Sequence, residues 1–111
     1  MKRYSLALDL KNDPQLIEEY RQYHQKVWPE IIKSIEEAGI QDLEIYLTGN
    51  RLFMIMETDN EFSLAKKSQM DDKNSKVQEW EALMWRYQQA LPLSQANEKW
   101  RVMDLIFSLK N

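Results

Sequence analysis

DLEIYLTGNRLFMIMET, residues 42–58, consists of two alternating apolar and polar runs joined by Gly49-Asn50. Alternation is the mark of a strand, and a Gly-Asn pair between two such runs marks a tight antiparallel turn. The stretch therefore reads as a β-hairpin. Leu43, Ile45 and Leu47 share one face, with Glu44 and Tyr46 on the other. On the second strand Phe53, Ile55 and Glu57 share a face, so Glu57 is expected to be half-buried.

Upstream, RYSLALDL (residues 3–10) alternates in the same way, with Tyr4, Leu6, Leu8 and Leu10 opposite Ser5, Ala7 and Asp9. Asn12 or Asp13 can cap a helix that carries Pro14 in its first turn. From Leu16 the apolar spacing widens to that of a helix: Leu16, Tyr20, His24, Val27, Trp28, Ile31, Ile32, Ile35. Pro29 kinks or restarts this helix, since a proline inside a helix removes a hydrogen bond and crowds the preceding turn. Gly39 closes it. Downstream of the hairpin, residues 59–76 are polar and hold one short helix. A second main helix is expected over 77–91, ended by Pro92, and WRVMDLIFSL (residues 100–109) reads as a last strand. The order is β-α-β-β-α-β, a ferredoxin-like α+β domain with helices on one face of an antiparallel sheet.

The chain has 111 residues, 43% of them hydrophobic and 11% aromatic, which is enough for one domain spanning 1–111 with a real core. A core of this size leaves little room for a deep private pocket, so a homodimer is expected to supply the missing walls. The net charge of −3 argues against a nucleic-acid groove. No cysteine is present, so disulfides and thiolate metal sites are excluded. The N-terminus runs into a strand instead of the apolar block of a signal peptide, and no apolar run reaches the ~20 residues of a membrane span. A cytoplasmic protein is expected.

His24 is the sole histidine. It falls on the sheet-facing stripe one turn after Tyr20, so the imidazole and the phenol can share a pocket, an arrangement suited to moving protons near neutral pH. A core histidine bonded to a backbone carbonyl would give the same pattern, and position alone favours that plainer alternative. Glu44 and Glu57 are candidate bases, although each could equally sit on a solvated sheet face. Trp28, Trp80, Trp85 and Trp100 could stack on a sugar ring, and aromatics at helical spacing also serve as core or dimer interface. With one histidine and no cysteine, no metal site is expected. There is neither a glycine-rich phosphate loop nor a Gly-x-Ser-x-Gly elbow.

The cluster Tyr20-x-x-x-His24-x-x-x-Trp28-Pro29-Glu30, followed by EIYLTGNRLFMIME and an aromatic helix over 80–87, resembles the L-rhamnose mutarotase family along essentially the whole chain. The resemblance implies a small cofactor-free isomerase that interconverts the α and β anomers of a 6-deoxy-L-hexose, L-rhamnose or L-fucose. It also implies a ferredoxin-like domain of the dimeric α/β-barrel type, paired through its sheet. Residue by residue it makes His24 the proton donor and Tyr20 a sugar contact. Leu43 stands where the rhamnose enzymes carry a tyrosine, and Met84-Trp85 stands near their tandem tryptophans, so L-fucose competes with L-rhamnose as substrate. Strand alternation adds Tyr46 as a further contact, and Glu44, Glu57 or a water would be the base. Two other readings stay open. One is a haem- or small-ligand-binding barrel of the monooxygenase type with His24 as axial ligand. The other is a sugar-binding module without catalysis.

Overall fold

The structure is a computed structural model that describes residues 1–95 and 98–110. The elements run β1 (Lys2–Leu10), α1 (Pro14–Gln25), α2 (Pro29–Glu37), β2 (Ile40–Thr48), β3 (Arg51–Thr58), α3 (Leu64–Asp72), α4 (Ser75–Trp85), β4 (Gln88–Gln89) and β5 (Arg101–Val102). The hairpin forms as its alternation requires, with Leu43 opposite Met56, Ile45 opposite Met54 and Leu47 opposite Leu52. β1 pairs antiparallel with β3 along its length, and the sheet order is β2-β3-β1-β4, with β5 also on β1. This is the ferredoxin-like strand order with an antiparallel sheet.

The two faces of the sheet differ as the period of two demands. Leu6, Leu8 and Leu10 of β1 and Leu52 and Met56 of β3 are buried beneath the helices. β1 is central, so its other side is also closed at Ala7 and Asp9. Arg51 covers Asp9 with a two-point ion pair of 2.7 and 3.2 Å.

The long helix of the sequence is two helices. Trp28 takes an extended ψ of 136° because a residue before proline avoids the helical region, and Pro29 then begins α2. Asp13 caps α1, its carboxylate accepting the N–H groups of Gln15 and Leu16. Gly39 ends the pair with φ +97°, and a Cβ there would lie 2.7 Å from a carboxylate oxygen of Asp59. The short helix in the polar stretch is α3; it buries no residue and packs against α4.

The expected helix over 77–91 and last strand over 100–109 both need correction. α4 stops at Trp85, where Arg86 and Tyr87 donate to the Leu83 and Met84 carbonyls, tightening the last turn. The chain then joins the sheet, with Gln88 opposite Leu10 and Gln89 opposite Asp9. Pairing with a strand edge wins there over helix propensity, because Pro92 already bars the helix from continuing. The final strand is only Arg101–Val102, extended by one bond from the Met103 N–H to the Ser5 carbonyl. The fourth position of the sheet is thus filled by two short pieces, and residues 103–107 lie exposed. Among the described residues no helix is long and apolar enough to cross a membrane.

Candidate active site

A cavity of about 500 Å³ opens between α1, α2 and α4 and the helix-facing side of the sheet. Its walls are mainly apolar, including Ile31, Ile45, Met54, Met84, Trp80 and Trp100, with Tyr20, His24 and Gln88 among its few polar groups. An apolar cleft of this size with a few convergent polar groups is the usual form of a small-molecule site.

His24 lies in the last turn of α1 and is half-buried. Its Nδ1 lies 2.9 Å from the backbone oxygen of Tyr20. A carbonyl can only accept, so Nδ1 carries the hydrogen, and Nε2 is the nitrogen left for the cavity. In the neutral ring Nε2 is a proton acceptor. Burial pushes the imidazole pKa below the ordinary histidine value, opposed by the bond to Tyr20. Neutral His24 is therefore the resting form near neutral pH.

Tyr20 is almost fully buried, and its ring lies 4.4 Å from that of His24, centroid to centroid. Its hydroxyl accepts a 3.0 Å hydrogen bond from the Gln88 side chain. Burial raises its pKa to about 12, so the phenol keeps its proton. Trp80 presents its ring at 5.8 Å from His24 in an edge-on arrangement and is held in turn by Trp28 at 5.0 Å. A bond of 3.0 Å from the Tyr87 hydroxyl to Glu19 ties α1 to the end of α4.

Of the residues singled out in the sequence, Tyr20, His24, Leu43, Trp80, Met84 and Trp100 line this cavity. Trp85, Glu44, Tyr46 and Glu57 do not meet them. Trp85 is the next residue round the helix from Met84 and lies half-buried under Lys99, whose Nζ is 5.6 Å from its ring. Glu44 and Tyr46 alternate with the cavity-lining Leu43 and Ile45, so they project from the opposite side of the sheet. There the Tyr46 hydroxyl donates to Glu44 at 3.2 Å, and its ring lies 6.4 Å from that of Phe53. Glu57 alternates with Met56 and is half-buried as expected, paired with Arg3 at 3.3 Å. Within one chain neither glutamate reaches the imidazole. The carboxylates that do line the cavity, Glu36 and Asp42, are exposed.

Gln88 is a polar residue of the cavity wall that sequence reasoning missed, because a helix running to Leu91 assigns it to a helical phase. The available signal was Pro92, which makes the preceding residues poor candidates for a helix. Trp80 and Trp100, named in the sequence as stacking candidates with core packing as the alternative, both line the cavity.

Comparison with known proteins gives the family and the fold. Residues 3–109 match the family model described as L-rhamnose mutarotase. The chain is 44% identical to a protein named L-fucose mutarotase from Xanthomonas campestris pv. campestris, covering 98% of this chain and 89% of that one. Its fold resembles the crystal structure of an L-rhamnose mutarotase from Formosa agariphila, with TM-score 0.72 and 17% identity over 98% of this chain and 99% of that one. A dimeric ferredoxin-like protein from an uncultured marine organism matches with TM-score 0.54 and 18% identity over 96% and 91% of the two chains.

Proposed function

The chain belongs to the L-rhamnose mutarotase family, and from that premise and the cavity we propose that it is an isomerase interconverting the α and β anomers of a 6-deoxy-L-hexose. L-Fucose is the preferred sugar, in keeping with the 44% identical relative and with Leu43 in place of a tyrosine. The whole of residues 1–111 forms one mutarotase domain. The observation that carries the reading is the imidazole of His24 set beside the phenol of Tyr20, 4.4 Å between ring centroids, on the wall of a mainly apolar cleft.

The reaction needs no more than these groups can give. His24 Nε2 takes the proton from the anomeric hydroxyl, the C1–O5 bond breaks with its electron pair passing to the ring oxygen, and that oxygen gains a proton. The aldehyde turns about C1–C2 and the steps reverse on its other face. The same imidazole, now protonated, delivers its proton to the ring oxygen, so its role as donor comes in the second half of the opening. The Tyr20 hydroxyl steadies the ring oxygen as charge gathers there. Trp80 serves as a stacking face, and the C6 methyl packs on the apolar wall, where a 6-hydroxyl would lose hydrogen bonds to water without replacement.

The active form is a homodimer in the cytoplasm. Tyr46 is 52% exposed on the outer side of the sheet beside Phe53, and Leu105, Ile106 and Phe107 are 75–94% exposed, an amount of bare apolar surface that a second copy would cover.

Saturation-transfer NMR on L-fucose, L-rhamnose and a hexose bearing a 6-hydroxyl tests the activity. Exchange between anomers of a 6-deoxy sugar should quicken with added protein, L-fucose most of all. Exchange at the protein-free rate for every sugar would reject the proposal and return His24 to a structural or haem-binding role.

A further inference from the structure

Gln88 is a buried polar residue, 7% exposed, on a cleft whose walls are mainly apolar. Its backbone is held by the sheet, opposite Leu10, and the neighbouring Tyr87 carbonyl accepts the Lys11 N–H at 2.8 Å. Its side chain is therefore aimed from a rigid edge and not from a mobile loop. The carboxamide nitrogen donates to the Tyr20 hydroxyl. A phenol oxygen that receives a hydrogen bond still has its own hydrogen to give. Among the described residues nothing takes that hydrogen, and the Gln88 carbonyl oxygen receives no bond. Among the described residues no side-chain polar atom lies sealed without a partner, so the unbonded Gln88 carbonyl oxygen keeps open surface, and Gln88 and Tyr20 both line the cleft.

We propose that Gln88 is a positioning and specificity residue of this site: its N–H fixes the Tyr20 hydroxyl as a donor toward the sugar, and its carbonyl oxygen receives a sugar hydroxyl. The proposal rests on the mutarotase reading. The cleft then offers an ordered set of an acceptor at His24 Nε2, a donor at Tyr20 and an acceptor at Gln88. A sugar whose hydroxyls and ring oxygen match that order is favoured over its epimers, because a mismatched epimer leaves a buried polar group unpaired.

The test combines Gln88→Met, Gln88→Glu, Tyr20→Phe and Tyr20→Phe/Gln88→Met, each checked by circular dichroism, with anomer exchange measured on L-fucose and L-rhamnose. Wild-type acceleration is established first, so that failure of the mutarotase reading is seen separately. Methionine keeps the shape and removes both polar groups, and the rate with the preferred sugar should fall about tenfold, the order of one lost hydrogen bond. The ratio of rates for the two sugars should fall with it, a change that a loosened scaffold would not produce. The double variant should be slower than Tyr20→Phe alone, but by less than the full Gln88→Met loss, because the hold on the Tyr20 hydroxyl is already gone and only the contact to the sugar hydroxyl is left to remove. Glutamate can only accept when ionised, so at about pH 8 it takes the Tyr20 proton for itself and should match Tyr20→Phe. Unchanged sugar preference in Gln88→Met, losses that multiply in the double variant, or a Gln88→Glu enzyme as fast as wild type would each overturn the proposal. Should one Gln88 variant fail to fold, the other still decides.

Discussion

A single hydrogen bond governs what His24 can do. Because Nδ1 is committed to the Tyr20 carbonyl, the ring has one usable nitrogen, and burial keeps that nitrogen unprotonated at rest. The sign follows directly. A histidine whose folded pKa is lowered is neutral at and above neutrality and becomes charged only as pH falls past its depressed value. Protein-dependent anomer exchange should therefore be level from about pH 8 down to neutrality and then decline, with its midpoint below the ordinary ~6.5. A rate that rises as pH falls through this range would mean that the protonated ring starts the reaction. The same shift makes a stability contribution that is present above the unfolded value and is lost as pH falls through the folded one. His24 and Tyr20 were legible in the sequence because helical spacing alone puts them on one face. The bond that decides between acid and base was not, since a histidine on that stripe can turn either nitrogen toward its own helix.

At the scale of elements, the punctuation did most of the work. Asp13-Pro14, Pro29, Gly39 and Gly49-Asn50 mark boundaries that the structure keeps, because each residue type has a backbone preference that no neighbour relieves. Gly39 is the sharpest case. With φ +97° and an Asp59 carboxylate oxygen 2.7 Å from where a Cβ would stand, Gly39→Ala should cost about 1–3 kcal/mol, read as a lower urea midpoint with an unchanged slope. No change in midpoint would mean that the α2–β2 connection relaxes freely. The C-terminal third was less legible. Helix propensity continues through Gln88 and Gln89, and only the free edge of β1, a tertiary partner, turns them into strand. That long-range contact also brings Gln88 to the cavity, so the missed boundary and the missed site residue have one cause.

Across the whole molecule the sheet separates two kinds of surface. One side, under the helices, holds the cleft; the other carries Tyr46, Phe53 and Ile55 with the Glu44 and Glu57 carboxylates between them. Alternation read from the hairpin gave the correct pairing of these residues, and choosing glutamates from it as bases put them on the side away from His24. The outer side and residues 103–107 suit a second copy, so light scattering should give twice the chain mass, and Tyr46→Glu with Phe53→Lys should shift it toward the monomer. A monomeric mass for the wild-type protein would remove the dimer from the account.

The measurement that bears most directly on the central claim is saturation-transfer NMR of L-fucose with wild-type protein, His24→Ala, and the pair Glu44→Gln and Glu57→Gln. The account predicts that His24→Ala loses about 100-fold or more of the protein-dependent exchange, while the glutamate variants stay near wild type. Wild-type exchange retained by His24→Ala, or abolished by either glutamate variant, would contradict it.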